Sequence, residues 1–192
     1  MYNPAMRLSL STAPTVEPVS LSEAKLFARI DTALDNDYVE SLVTVSRRMC
    51  EDYTRRSFIS QTWVMYLDAF PCANFIEVPR APLVSVTSVV TYDDSDNATT
   101  FASSNYYADT VTRPGRIVLR TTAVWPTVLR VANGIAITFV AGYDATPAGV
   151  PADIRHAILM TIAHLYENRG DEVSTLPPIA EMLLSPHKDW AF

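Results

Sequence analysis

The sequence has little of what the commonest catalytic and metal-binding motifs require. Among 192 residues there are five glycines, two cysteines and three histidines. So few glycines leave little room for a phosphate-binding loop or a GxGxxG turn, and neither pattern is present. GxSxG, HExxH and CxxC are absent as well. We therefore expect a protein that is not an enzyme and that holds no cofactor and no metal.

Charge and long apolar runs are also sparse. Charged residues make up 19% of the chain, with a net charge of −6 and no large Lys/Arg cluster of the kind that phosphate binding needs. No apolar run reaches the length of a membrane span, and the N-terminus lacks a signal-peptide pattern. The expectation is an intracellular protein with no membrane association and with two free thiols, Cys50 and Cys72.

Two helices are predicted in the N-terminal third. In "SLSEAKLFARI", Ser20 and Glu23 form a capping-box pattern that predicts the start of a short helix. The clearest helix is "DNDYVESLVTVSRRMCEDYTRRSF", which begins with acidic residues, as the helix dipole favours. We interpret its arginines as a solvated or salt-bridged face. Its apolar stripe comprises Val39, Leu42, Val43, Ser46, Met49, Cys50 and Tyr53.

From Ser60 the hydrophobic period changes from 3.6 to 2. The stretches "QTWVMYL", "FIEV", "VSVTSVVTY", "RIVLR" and "GIAITFV" predict five or six short strands in an antiparallel sheet or small barrel. After "VPADI" the helical period returns, with Ile154, Ile158, Ile162 and Leu165 on one face. The other faces are apolar too, which predicts a buried helix that ends at Gly170.

These patterns predict an α+β fold. Two N-terminal helices and one long C-terminal helix form a helical core, with an antiparallel β-rich insertion between them. The predicted organisation is an extended N-terminal arm over residues 1–19, a helical core over 20–58 and 150–170, the insertion over 60–143, and a C-terminal tail over 171–192.

Two stretches have spacings typical of metal sites. In "HLYENR", His164 and Glu167 lie one helical turn apart, but their order is the reverse of Glu-x-x-His and no second copy exists. We interpret this stretch as a helix end, where Arg169 is a structural anchor that reaches a carboxylate or a carbonyl. In "DDSDNATT" the acids are spaced as in a calcium loop, but the required glycine and glutamate are missing, so we predict a hairpin turn.

The order of several motifs indicates a family. The chain contains "VSLSEAKLFARID", "YLDAFP", "IEVPRAPLVSVTSVVTYDD", "YYADTVTRPGRIVL", "ITFVAGY" and "VPADIRHAILMTIAHLYENR" in succession. From about residue 16 to residue 169, it resembles the head–tail connector (adaptor, or head-completion) proteins of tailed bacteriophages and gene transfer agents. "HLYENR" looks like a signature of the core helix in that family.

The resemblance implies a structural virion protein that is assembled in the host cytoplasm and located in the neck. Such proteins form a homo-oligomeric ring of twelve copies under the portal protein, extend the DNA channel and receive stopper or tail-completion proteins. DNA passes through without specific binding. Because the chain is acidic, we expect a negatively charged lumen, with either Asp93, Asp94 and Asp96 or Glu51 and Asp52 on its wall.

The C-terminal tail is the predicted docking segment. An amphipathic end with aromatic anchors is a common recognition mode, and we expect it to extend and dock on the portal or on a neighbouring subunit. The alternative is that Leu183, Leu184 and Trp190 fold back onto the core helix. The docking residues are Ile179, Met182, Leu183, Trp190 and Phe192.

Three other functions stay open at this point. The chain could be another ring-forming neck or tail protein, such as a stopper or a tail terminator, which its position in the particle would reveal. It could be a β-type ligand-binding module, which a ligand screen would detect, or a hydrolase that uses unrecognised carboxylates. The binding module would use an aromatic platform of Trp63, Tyr106, Tyr107 and Trp125.

Overall fold

The structure is a computed structural model that describes residues 6–169 and 176–189. Its antiparallel sheets and helices confirm the α+β class. The helices are α1 (Leu21–Ala28), α2 (Asn36–Thr54), α3 (Ala152–Glu167) and α4 (Pro178–Leu184). The strands are β1 (Arg7–Thr12), β2 (Gln61–Leu67), β3 (Phe75–Val78), β4 (Leu83–Tyr92), β5 (Ala98–Thr100), β6 (Tyr106–Asp109), β7 (Gly115–Leu119) and β8 (Ile135–Ala141).

The chain divides into two compact units. The β unit comprises the residues up to Ala13 together with Ser60–Gly142, and the helical unit comprises Pro14–Ile59 together with the residues from Tyr143 onward. The β unit contains a five-stranded sheet, in the order β1-β2-β8-β4-β5, and a three-stranded sheet, in the order β3-β7-β6. Every pair of neighbouring strands is antiparallel.

The first strand comes from the segment that the sequence predicts as an extended arm. Residues Arg7 to Leu10 pair in register with Tyr66 to Trp63 of β2, so this part of the arm is the edge of the larger sheet. At the other end of the same segment, Val19 is 1% exposed and belongs to the core of the helical unit. The predicted arm is therefore divided between the two units.

Alternation holds along β2 and fails along β4. In β2, Met65 and Leu67 are buried between half-buried neighbours, as the period of two predicts. The β4–β8 register shifts twice, between Leu83 and Ser85 and between Val86 and Ser88. Each shift changes which face the following residues occupy. Through the second shift Val89, three residues after Val86, lies on the same face as Val86, opposite Ile137, and is fully buried.

The N-terminal helices of the helical unit begin as the sequence predicts. Ser20 caps α1, and the reciprocal bond from its backbone N–H to Glu23 completes the capping box. Glu23 also pairs with Arg155 of α3. In α2 the predicted stripe packs inward. Its buried members are Val39, Leu42, Val43, Ser46 and Cys50.

Helix α3 supplies the centre of the helical core. Ile154, Ile158 and Ile162 are completely buried, and Leu165 packs against the same cluster while half-exposed. Burial raises the pKa of the neighbouring Cys50 thiol to about 12, and its Sγ lies 3.9 Å from the Thr161 hydroxyl. Both cysteines are free.

The described part of the C-terminal tail packs on the helical unit, so the predicted extension is wrong for residues 176–189. Ala180 and Leu184 of α4 are completely buried, and Leu176 is 7% exposed. Beyond α4, His187 Nε2 lies 2.6 Å from Asp153 of α3. These contacts form because one face of the short helix is apolar, and its buried residues belong to the hydrophobic core of the helical unit.

None of the described helices is long and apolar enough to cross a membrane.

Candidate interaction surfaces

The "HLYENR" stretch contains the C-terminal end of α3 and provides its cap. The backbone N–H and the side-chain amide of Asn168 both donate to the His164 carbonyl, at 3.1 and 2.8 Å. The side-chain amide of Asn168 also lies 3.2 Å from His164 Nδ1. The stretch therefore caps its own helix. Gly170, the predicted stop, lies outside the described residues. Within residues 6–169 and 176–189, no cluster of three potential metal ligands occurs.

Arg169 reaches a carboxylate, as the sequence predicts. It donates a 3.2 Å hydrogen bond to Asp35, the residue that precedes α2. Its guanidinium carbon lies 4.5 and 4.3 Å from the ring centres of Tyr38 and Tyr166. The Tyr166 hydroxyl donates to the same carboxylate, and the two bonds hold the pKa of Asp35 below its usual value. The role of Arg169 as an anchor for stability stays a prediction.

Arg47 belongs to a buried ionic network. It donates 2.6 Å hydrogen bonds to Glu17 and to Glu51, and 4% of its side chain is exposed. Burial opposes its charge, but the two carboxylates outweigh this effect and raise the pKa of Arg47. Glu51 also accepts a 2.8 Å bond from the Phe58 amide. Because Glu51 is buried, its prediction as an acid of a channel wall is wrong, whereas the exposed Asp52 keeps that prediction.

Two of the three acids in the hairpin between β4 and β5 have hydrogen-bond or ion-pair partners in the β unit. Asp93 accepts bonds from the side chain and backbone of Asn97 and from the Ser95 amide, which hold its pKa below the usual value. Asp96 pairs with Arg130 at 2.8 Å. The predicted hairpin turn is confirmed, and Asp94 at its tip is exposed. Whether these three acids face a channel stays a prediction.

The predicted aromatic platform is not available as a set. Tyr106 is 6% exposed and packs in the β-unit core. The Trp125 ring stacks on Phe70 at 4.6 Å, and its indole N–H donates to the Ala73 carbonyl at 3.0 Å. Trp63 also packs against this core, so three of the four aromatic side chains are used for packing, which weakens the interpretation as a ligand-binding module.

The loop between β7 and β8 carries an exposed apolar surface that the sequence did not reveal. Trp125 and Leu129 pack against the β-unit core, and the backbone N–H of Arg130 donates to the Tyr92 carbonyl at 2.9 Å. Next to each of these anchors the loop exposes a valine, and the signal in the sequence would have been a valine beside each anchoring residue. The exposed fractions are 82% for Val124, 74% for Val128 and 90% for Val131.

A second exposed apolar surface lies on α4. Ile179 and Met182, two of the predicted docking residues, are 54% and 65% exposed, one helical turn apart. Leu183 is half-buried against the helical core. The other predicted docking residues, Trp190 and Phe192, lie outside the described residues. Large exposed apolar side chains on an ordered helix are typical of interaction sites.

Comparison with known proteins finds relatives by structure. No protein-family model and no curated protein matches the chain. A chain from the neck of an empty gene transfer agent (GTA) particle, computed with C6 symmetry, matches with a TM-score of 0.82 and 22% identity over 95% of both chains. A chain of a native GTA virion gives 0.79 and 20% over 94% of both.

A third match agrees with these two. A chain from the neck of a native GTA particle, computed with C12 symmetry, gives a TM-score of 0.72 and 22% identity, covering 95% of this chain and 94% of that one. These matches confirm, for the fold, the resemblance to connector-type proteins of phages and gene transfer agents that the order of the sequence motifs indicates.

Proposed function

We propose that the chain is a structural protein of the neck of a tailed, phage-like particle. The observation that carries the proposal is the agreement in fold, at a TM-score of 0.82, over 95% of this chain and 95% of a neck chain. An accessory domain shared between unrelated proteins would match only part of one partner. Here the same two-unit architecture extends along both chains.

Within the neck, the role that fits best is that of head–tail adaptor. Twelve copies would form a ring beneath the portal protein, continue the DNA channel and provide the docking surface for stopper or tail-completion proteins. Support comes from the order of the sequence motifs and from the twelvefold and sixfold symmetry of the neck assemblies that contain the related chains. In such a ring each subunit uses two different surfaces, one for each neighbour.

The exposed apolar residues fit this role. Ile179 and Met182 on α4 and the three valines of the β7–β8 loop are ordered but largely uncovered in the single chain. A subunit that is surrounded by other subunits and by portal or stopper proteins would cover such residues. With a net charge of −6 per chain, a ring would also surround DNA without binding it tightly.

Removal of the gene from a particle-producing host tests the proposal. We expect heads that contain DNA but lack tails, and rescue by the intact gene. A density map of the rescued particles, computed with twelvefold symmetry, should place this chain against the portal. If the map instead places this chain in a ring on the tail side of another ring, the chain would be a stopper or a tail terminator. Normal tailed particles without the gene would contradict the proposal.

A further inference from the structure

Strand β1 is held in the β unit mainly through its backbone. It lies at the edge of the five-stranded sheet and pairs with β2 alone. Five of its six residues are exposed. The side chains of this segment that pack against the β-unit core, and only partly, are those of Met6 and Leu8. Such a strand depends on hydrogen bonds to one neighbour and gains little from buried apolar area.

The segment that follows β1 has the properties of a tether. The register shifts between Leu10 and Thr12, and residues 13–18 form neither helix nor strand. Three of these six residues are exposed, and Pro18 is buried. Its far end is fixed, because Glu17 accepts a 2.9 Å bond from Thr44 and the Pro18 carbonyl accepts a 3.0 Å bond from Arg155. Strand β1 therefore continues into a partly exposed segment whose other end is fixed on the helical unit.

We propose that β1 is exchanged between copies: in the assembled ring it leaves its own β2 and pairs with β2 of a neighbouring copy. This inference rests on the proposed ring. Exchange of an identical element is a low-cost way to link protomers, because the same contacts are remade and only the tether changes. Each copy gives one strand and receives one, so the link is directional and can close a ring.

The partner is a second copy because the strand that fits the edge of β2 is β1 itself. Only another β1 carries residues equivalent to Met6 and Leu8 in the register that pairs Leu8 with Met65. A strand from an unrelated protein would have to displace β1, which is tethered nearby. It would also lack the side chains that match this register. In a ring, the β1 strands of neighbouring copies are held at a high effective concentration. Exchange is therefore favoured more in the ring than in the free chain.

Disulfide trapping tests the exchange. Ser9 and Val64 are register partners, so Ser9→Cys with Val64→Cys, in a chain that also carries Cys72→Ser, can link β1 to β2 under a mild oxidant. The free chain should form the link within one molecule, which also shows that the geometry is suitable. Arg7→Cys with Tyr66→Cys supplies a second pair in the same register. In assembled particles we expect links between chains, seen as a ladder in non-reducing electrophoresis.

A matched control uses a hairpin too short to exchange. Val90 and Thr100 are register partners in β4 and β5, so Val90→Cys with Thr100→Cys should link within one chain in both states. Co-assembly of chains that carry only Ser9→Cys with chains that carry only Val64→Cys gives an independent readout. With Cys72→Ser in both chains, a covalent link between the Ser9→Cys chain and the Val64→Cys chain requires exchange. Particles whose neck ring contains the double variant linked only within single chains would overturn the exchange and leave the proposed function intact. Absence of the chain from the neck would overturn the function.

Discussion

The phenol of Tyr166 donates a 2.6 Å hydrogen bond to the carboxylate of Asp35, from a position 131 residues later in the chain. The bond joins the last turn of α3 to the residue that precedes α2, and Arg169 reinforces it from the same side. Three residues of the "HLYENR" stretch thus have structural roles: Asn168 caps the helix, while Tyr166 and Arg169 bond to the residue that precedes α2. The stretch therefore joins two parts of the helical unit that are separated in the sequence by the long insertion.

Removal of the Tyr166 hydroxyl should destabilise the helical unit in a pH-dependent way. Asp35 has a lowered pKa in the folded chain, chiefly through its bond from Tyr166 and then through Arg169. Its contribution is present above the unfolded pKa of about 3.9 and is lost as the pH falls through the lower folded value. We expect Tyr166→Phe to unfold at a lower temperature at pH 7 and to lose less stability on acidification, measured by thermal unfolding from pH 7 to pH 2.

Tyr38→Phe is the matched control for this change. The Tyr38 ring also lies under the Arg169 guanidinium, at 4.5 Å, and the substitution keeps that ring contact. We expect its unfolding temperature and its pH profile to follow those of the unmodified chain. Equal effects of the two substitutions would show that the hydroxyl bond to Asp35 is unimportant.

Arg47 should be among the most sensitive positions in α2. Its loss would leave Glu17 and Glu51 charged without their shared cation, and Glu51 is 4% exposed. Breaking a buried pair by removal of one partner costs about 3–5 kcal/mol. We expect a loss of that size for Arg47→Met in urea unfolding. Arg48→Met, one residue further along and exposed, should change stability by less than about 0.5 kcal/mol.

The elements that could be predicted from sequence are those whose local patterns agree with their burial. Ser20 and Glu23 define the start of α1 because both halves of the capping box are local. The stripe of α2 and the isoleucines of α3 follow the helical period because each helix buries one continuous face. In β2 the predicted alternation agrees at Met65 and Leu67, which are buried, whereas Trp63 is only partly buried.

The features that were missed depend on partners that sequence spacing does not show. The inner face of β4 shifts because of two irregularities in its pairing with β8, a strand more than forty residues away. Glu51 looked like a surface acid although Arg47 lies one turn earlier in the same helix, because the other groups of the network, the Glu17 carboxylate and the Phe58 amide, belong to other segments. The tail looked free because the apolar cluster that Leu184 joins is built from several helices, which no spacing within the tail shows.

The packing of α4 can be measured with two neighbouring side chains. Leu184 is completely buried, so Leu184→Ala should leave a cavity in the helical core and cost about 2–5 kcal/mol. Met182 is 65% exposed, and Met182→Ala should cost less than about 0.5 kcal/mol. Urea unfolding of the two variants gives both values. A neutral Leu184→Ala would mean that the tail does not belong to the helical core in solution.

The exposed face of α4 should matter for assembly and not for folding. Ile179 and Met182 contribute little to the single chain because more than half of each side chain remains in water. In the proposed ring they would be covered by a partner, where a buried charge without a counter-ion is costly. We therefore expect Ile179→Asp with Met182→Asp to unfold at nearly the temperature of the unmodified chain, yet to enter particles several-fold less well in a quantitative blot. Val111→Asp, at an 89% exposed valine of the β unit that the proposal does not place at an interface, tests whether any new surface charge has the same effect. Normal incorporation of the double variant would show that α4 faces solvent in the assembled neck.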